Sequence, residues 1–206
     1  MTEDEAHSWL SMRDVPRGTV ERLADFERLI REEGASQNLI SASTMDQIWS
    51  RHIVDSVQLL DHAGDGDWLD LGSGAGFPGL IIALVGERPV TLVESRAKRV
   101  AFLKAAAELL GIADRAEIFG GRAETLAARK YGVITARAFA PLPRLLTIAH
   151  RFSTLKTTWV LPKGRSAARE LEEIGGSWQG RFGIVPSVTD SEAAIIVARD
   201  VRPGRP

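Results

Sequence analysis

The chain contains no cysteine, which removes disulfide frameworks, thiolate metal sites and every mechanism built on a cysteine nucleophile. Aromatic residues are scarce, 6% of 206 residues with one tyrosine. Trp9, Trp49, Trp68, Trp159 and Trp178 fall at no common spacing and read as packing residues, not as a base-stacking platform. Long apolar runs are also missing: the longest nearly apolar stretch, Phe77 to Val85, is far short of the roughly 18 residues a membrane span needs. No charged-then-apolar-then-small segment opens the sequence, so a cytoplasmic protein with no membrane association is expected. His7, His62 and His150 show no spacing suited to ligation, and no metal is expected. Nor is there an excess of one charge. Lys and Arg number 26 against 27 Asp and Glu, a net charge of -1, which argues against a wholly basic nucleic-acid-coating protein.

That balance hides an asymmetry. Residues 1–33 carry nine acids against five bases, whereas Arg137 to Arg169 holds seven bases and no acid. Such a stretch can form a local field for an anionic partner, and Arg144 and Arg151, seven apart, share one helix face.

Two patterns divide the chain into a helical N-terminal extension, residues 1–64, and an α/β domain, residues 65–206. In the first, Pro16 or Thr19 starts a helix whose Leu23, Phe26 and Ile30 recur at helical spacing until Gly34. Ser43 followed by Asp46 resembles a capping box opening a second helix with Ile48, Ile53, Val57 and Leu60. Arg51, His52 and Asp55 sit within that helix, and a local ion pair docking it on the rest of the chain is favoured over a place in a pocket. From Asp67 onward strands and helices alternate. Strands are expected at 68–71, 90–93, 116–119, 133–136, 159–161 and 194–197, and helices at 80–85, 97–110, 142–152 and 166–174, with Ser95 and Gly111 as cap and stop of the second. This alternation implies a parallel sheet covered on both faces, which binds ligands beyond the carboxyl ends of its strands.

The ligand signal is Asp70 to Gly79, DLGSGAGFPG, at the end of the first strand. Gly72, Gly74 and Gly76 leave out side chains where the chain turns sharply against a ligand. About twenty residues on, the second strand ends in Glu94, placed to accept hydrogen bonds from ribose hydroxyls. Gly74, Gly76 and Gly79 also fit the G-x-G-x-x-G of a nicotinamide or flavin dinucleotide site. Three features favour S-adenosylmethionine instead. Pro78 removes a donor from the turn that would hold phosphates. Asp70 repels a pyrophosphate but suits sulfonium and amino groups. No Tyr-x-x-x-Lys dyad follows, since Tyr131 has Thr135 four residues on. Carbon-5 pyrimidine methylation is excluded with cysteine. In place of the Asn/Asp-Pro-Pro-aromatic element of exocyclic amine methylation, the chain has Arg137-Ala138-Phe139-Ala140 after its fourth domain strand. A base there suits an anionic substrate or an acceptor, such as guanine N7, that is already nucleophilic.

At these residues the chain resembles the bacterial small-subunit ribosomal RNA guanine-N7 methyltransferases, the glucose-inhibited division protein B family. The likeness spans about Asn38 to Gly164. It includes Asn38-Leu39-Ile40, Arg51-His52-Ile53-Val54-Asp55-Ser56, the turn through Phe77-Pro78-Gly79, Glu94-Ser95 with Lys98-Arg99, Arg122-Ala123-Glu124, Arg137-Ala138-Phe139-Ala140 and Leu161-Pro162-Lys163-Gly164. It implies a Rossmann-like class I S-adenosylmethionine-dependent methyltransferase with an N-terminal helical extension. The expected substrate is N7 of a guanine in 16S ribosomal RNA, free or in the small ribosomal subunit. Asp70, Gly72, Gly74, Gly76, Phe77, Glu94, Ala123, Glu124 and Arg137 are the expected cofactor residues. Arg122, Arg137 and Lys163 are candidates for positioning substrate, and no general base is assigned. The alternatives are a nicotinamide-dependent oxidoreductase, a non-catalytic RNA-binding or assembly module, and a small-molecule methyltransferase, which leaves the basic run without a role.

Overall fold

The computed structural model describes residues 1–34 and 36–204. Helix α1 (Glu3–Ser11) starts at a capping box in which Glu5 N–H donates to Thr2 Oγ1 (3.2 Å) and Thr2 N–H donates to Glu5 Oε2 (2.7 Å). Helix α2 (Arg17–Gly34) turns Leu23, Phe26 and Ile30 inward. The next helical stretch does not open at Ser43 and Asp46, where the chain makes only a 3₁₀ turn, Ala42–Thr44. It opens at a π-helical turn, Trp49–Val54, and runs on through α3 (Asp55–Val57) and a 3₁₀ turn, Gln58–His62. The Glu3 carboxylate of α1 caps it, accepting from Trp49 N–H (3.0 Å) and Ser50 N–H (2.8 Å). A tertiary cap thus replaces the expected local one.

Seven strands form one sheet: β1 (Trp68–Leu71), β2 (Val90–Glu94), β3 (Ala116–Gly120), β4 (Val133–Thr135), β5 (Thr158–Lys163), β6 (Trp178–Pro186) and β7 (Ala194–Pro203). Their order is β3-β2-β1-β4-β5-β7-β6. The first five run parallel, but β7 pairs antiparallel with β5, and β6 antiparallel with β7. The sheet is therefore mixed, not wholly parallel. Strand β6 carries no expectation from sequence because it is a largely exposed edge, with Gly180, Gly183 and Pro186 diluting its alternation.

The helices between strands are α4 (Gly79–Val85), α5 (Ala97–Leu109), α6 (Leu142–Ala149) and α7 (Ala167–Ile174). Beyond Ala149 the expected helix tightens into a 3₁₀ turn, His150–Phe152. Ser95 does not cap α5; Arg96 is the N-cap, and it makes no side-chain cap bond. Two cores lie on opposite faces of the sheet. Leu23, Phe26 and Ile30 of α2 pack with Trp68, Leu80, Phe102 and Leu103 on one, so the N-terminal helices cover the same face as α4 and α5. Leu69, Leu71, Leu142, Leu146 and Trp159 fill the other. After β3 the chain returns to place β4 on the far side of β1, and this reversal opens a crevice at the carboxyl ends of β1 and β4.

Candidate active site

The turn after β1 is folded on itself. Gly72, Gly74 and Gly76 have φ of 73°, 56° and 93°, the left-handed region that favours glycine. At Gly72 space also excludes a side chain, since a Cβ would lie 2.7 Å from the Phe139 ring. Most of the turn's N–H groups already have acceptors. Gly72 and Ser73 donate to Val93 O, Gly76 to Ser73 O and Leu80 to Gly76 O. Gly74 donates to Glu94 Oε2 (3.1 Å) and Gly79 to Asp70 Oδ2 (3.2 Å).

Above this turn lies a cavity of about 550 Å³ whose lining includes Gly72, Glu94, Arg122, Ala123, Glu124 and Arg144. Glu94, at the end of β2, is nearly buried, and its Oε1 accepts from Arg96 N–H at 2.8 Å. Among the expected cofactor residues, Gly72, Glu94, Ala123 and Glu124 share this cavity. Asp70, Gly74, Gly76, Phe77 and Arg137 do not line it: Asp70 is fully buried beneath α4, Phe77 is packed against Phe26 and His52, and Arg137 is bonded to His52. The cavity suits a sulfonium nucleoside better than a dinucleotide. The backbone donors a pyrophosphate needs are mostly spent within the turn. The small floor at Gly72, Gly121 and Ala123 leaves the room an adenosine requires.

A second cavity, about 560 Å³, adjoins it, and Ala138, Phe139 and Ala140 belong to the walls of both. The loop carrying them starts from Arg137, at the end of β4, and Ala138 takes φ 51°, a strained conformation for a residue with a Cβ. Lys163 donates to Ala140 O (3.2 Å) and to Glu170 Oε2 (2.7 Å), while Glu170 also accepts from Leu142 N–H (2.8 Å) and Ser166 Oγ (2.8 Å). Burial alone would raise the Glu170 carboxyl, but these bonds, led by Lys163, hold it below its ordinary value. The α3 region supplies the opposite wall with Arg51, His52 and Asp55. Arg137 donates to His52 Nδ1 at 2.9 Å, so the His52 proton sits on Nε2 and is donated to Thr44 Oγ1 at 2.9 Å. Burial, then the charges of Arg137 and Arg51, push the His52 imidazole down to about 3. It is neutral at physiological pH.

Three expectations are corrected here. Arg51 does not pair within its own helix but with Asp190 (2.6 Å), and Arg51, His52 and Asp55 form a cavity wall, the less favoured reading. The basic run is not a one-sign face. Lys163 pairs with Glu170, Arg165 with Glu192 and Arg169 with Glu173, while Arg151 is spent on the carbonyls of Glu124 and Leu126. Lys163, only 10% exposed, is thus turned inward, and Arg122, though exposed, is paired with Glu124 (3.2 Å). Sequence reasoning missed Thr44, Ser187, Thr189 and Glu170, all lining the second cavity. The glycine turn offered a signal for the first cavity; Ser187 and Thr189 carry none, since they reach Asp55 from more than 130 positions away, and Thr44 and Glu170 stand at no motif spacing.

The sheet order, the glycine turn and the carboxylate ending β2 define a Rossmann-like class I methyltransferase. The fold is similar to an O-methyltransferase from Bacillus cereus in complex with SAH, at TM-score 0.60 and 15% identity over 93% of this chain and 96% of that one. The family model described as rRNA small subunit methyltransferase G matches residues 19–195, and the chain belongs to that family. It is 58% identical to the ribosomal RNA small subunit methyltransferase G of Rhizorhabdus wittichii, covering 98% of this chain and 95% of the relative. It is 50% identical to the protein of the same name from Erythrobacter litoralis, covering 96% of each. This membership favours the methyltransferase over the nicotinamide-dependent oxidoreductase. Among the described residues no helix is long and apolar enough to cross a membrane.

Proposed function

We propose that the enzyme transfers a methyl group from S-adenosylmethionine to N7 of a guanine in 16S ribosomal RNA, in the cytoplasm. The observation that carries this reading is the abutment of two cavities across Ala138–Ala140, room for a donor and an acceptor on either side of one short loop. Bound S-adenosylmethionine supplies an electrophilic methyl group: the N7 lone pair forms the new bond as the carbon–sulfur bond breaks toward sulfur, and the positive charge passes to the purine ring. Glu94 would hold the ribose hydroxyls, with Gly72, Ala123 and Glu124 around the adenosine. Gly74, Gly76, Phe77 and Asp70 shape the turn from beneath. Arg137 would line the acceptor site, just before the loop that separates the two cavities, and the helical extension, residues 1–64, would contribute one wall of that site to the domain at 65–206. No residue has to remove a proton, because none leaves N7; the chain's work is to align the two groups and exclude water. A neutral His52 fits that role as a packing and hydrogen-bonding partner of Arg137.

The test is methyl transfer from labelled S-adenosylmethionine to small ribosomal subunits lacking the modification, followed by mapping of the labelled nucleotide. Label at N7 of one guanine is expected. No incorporation, or label on a different atom, overturns the reading.

A further inference from the structure

The second cavity holds two carboxylates, and their environments set them apart. Glu170 has both oxygens engaged, by Lys163, Leu142 N–H and Ser166. Asp55 is half-engaged. Its Oδ1 accepts from Gln58 Nε2 (2.9 Å) and Thr189 Oγ1 (2.9 Å), with Ser187 Oγ further off at 3.4 Å. Among the described residues its Oδ2 has only Arg137 Nη1 nearby, at 3.9 Å, close enough for charge attraction but too far for a hydrogen bond. The Asp55 side chain is 19% exposed. It is also held in place from behind. Gln58 Oε1 accepts from Val188 N–H (3.0 Å), and Ser187 and Thr189 share a 2.8 Å hydroxyl contact, so the β6–β7 turn fixes the carboxylate's orientation. A preorganised anion with one open acceptor therefore looks into a space of about 560 Å³, within the range of roughly 300–1,000 Å³ common to small-molecule sites.

We propose that Asp55 recognises the acceptor guanine, its Oδ2 accepting a hydrogen bond from the N1–H or the 2-amino group. The proposal rests on the guanine-N7 reading above and names the residue that selects the base. Guanine presents two donors on that edge, where adenine presents the N1 acceptor, which a carboxylate repels. With that edge on Asp55, N7 lies on the far side of the purine, free for the donor cavity. Methylation moves a positive charge onto the ring and makes the N1–H and amino groups stronger donors. The bond to Asp55 is consequently tighter in the transition state than in the ground state, which is the condition for an interaction to raise the rate. Arg137, 3.9 Å away, attracts the carboxylate from one side, and Asp55 in turn offsets Arg137 when the ring becomes cationic.

The test compares single-turnover methylation of small subunits rebuilt with guanine, inosine or 1-methylguanine at the acceptor position, by the wild type and by Asp55→Asn. Inosine lacks the 2-amino group and 1-methylguanine lacks N1–H, while both keep N7. The wild type is expected to slow by about 10²-fold on one of the two analogues. Asp55→Asn, which turns an acceptor into a donor or removes the charge, is expected to slow by about 10²-fold on guanine and to lose nothing further on that same analogue. S-adenosylhomocysteine affinity should stay unchanged, and loss of the analogue penalty is the readout that a merely structural role for Asp55 would not move. Equal wild-type rates on all three bases overturn the proposal without any variant. So does an Asp55→Asn enzyme that keeps the full analogue penalty or methylates guanine at the wild-type rate. If the wild type methylates no guanine at all, it is the underlying reading that fails.

Discussion

Asp70 shows how one side chain can be legible in kind and illegible in role. Its place before the glycine turn marks it as a ligand acid, yet it faces the α4 side of the sheet, fully buried, beneath Gly79. Its Oδ1 and the Oγ1 of Thr135, on paired positions of β1 and β4, have no hydrogen-bond partner among the described residues. Burial pushes the carboxyl up from 3.8 to about 6. Between those values the folded protein binds more protons than the unfolded chain, so stability falls as pH rises from 3.8 through 6. Asp70→Asn is therefore expected to raise the melting temperature at about pH 8, with the gain vanishing toward pH 4. Thermal denaturation across that range checks it, and a gain independent of pH contradicts the assignment. Glu94 was legible because its spacing from the turn is a property of the βαβ unit. Asp55 was not. Thr189, which orients it, is 134 positions away in sequence, and no local pattern announces such a contact.

At the scale of elements, alternation of strand and helix revealed six of the seven strands, the antiparallel β7 among them, because strands with buried positions read as short apolar runs. The exposed edge strand β6 escaped, and with it the β6–β7 turn that reaches the acceptor cavity. Caps supplied from a distance, such as Glu3 on the Trp49–Val54 turn, escaped for the same reason. The Lys163–Glu170 pair ties three elements together: β5, the start of α6 and α7. With both side chains about nine-tenths covered, removing one partner leaves an uncompensated charge. Glu170→Ala is expected to destabilise the fold by about 3 kcal/mol, read from urea unfolding. A change within experimental error would mean that the pair is solvated and does not hold the Ala138–Ala140 loop.

For the whole molecule, net charge and composition excluded classes of protein but located nothing. The acid-free run from Arg137 to Arg169 looked like an RNA surface in one dimension, and folding brought Glu124, Glu170, Glu173 and Glu192 into its neighbourhood. Among the described residues, Arg96 and Arg144 are exposed bases with no carboxylate within 4.0 Å, and both line the cavity that holds Glu94.

The picture of two adjoining cavities stands on the identity of the ligand above the glycine turn, where backbone donors are committed and carboxylates face inward. Calorimetric titration of S-adenosylhomocysteine and NADH into the wild type and Glu94→Ala tests it most directly. The expected result is binding of S-adenosylhomocysteine alone, weakened at least tenfold by Glu94→Ala, the loss of a charged hydrogen bond worth about 1.5–3 kcal/mol. Preferential binding of NADH, or S-adenosylhomocysteine affinity indifferent to Glu94, would contradict it.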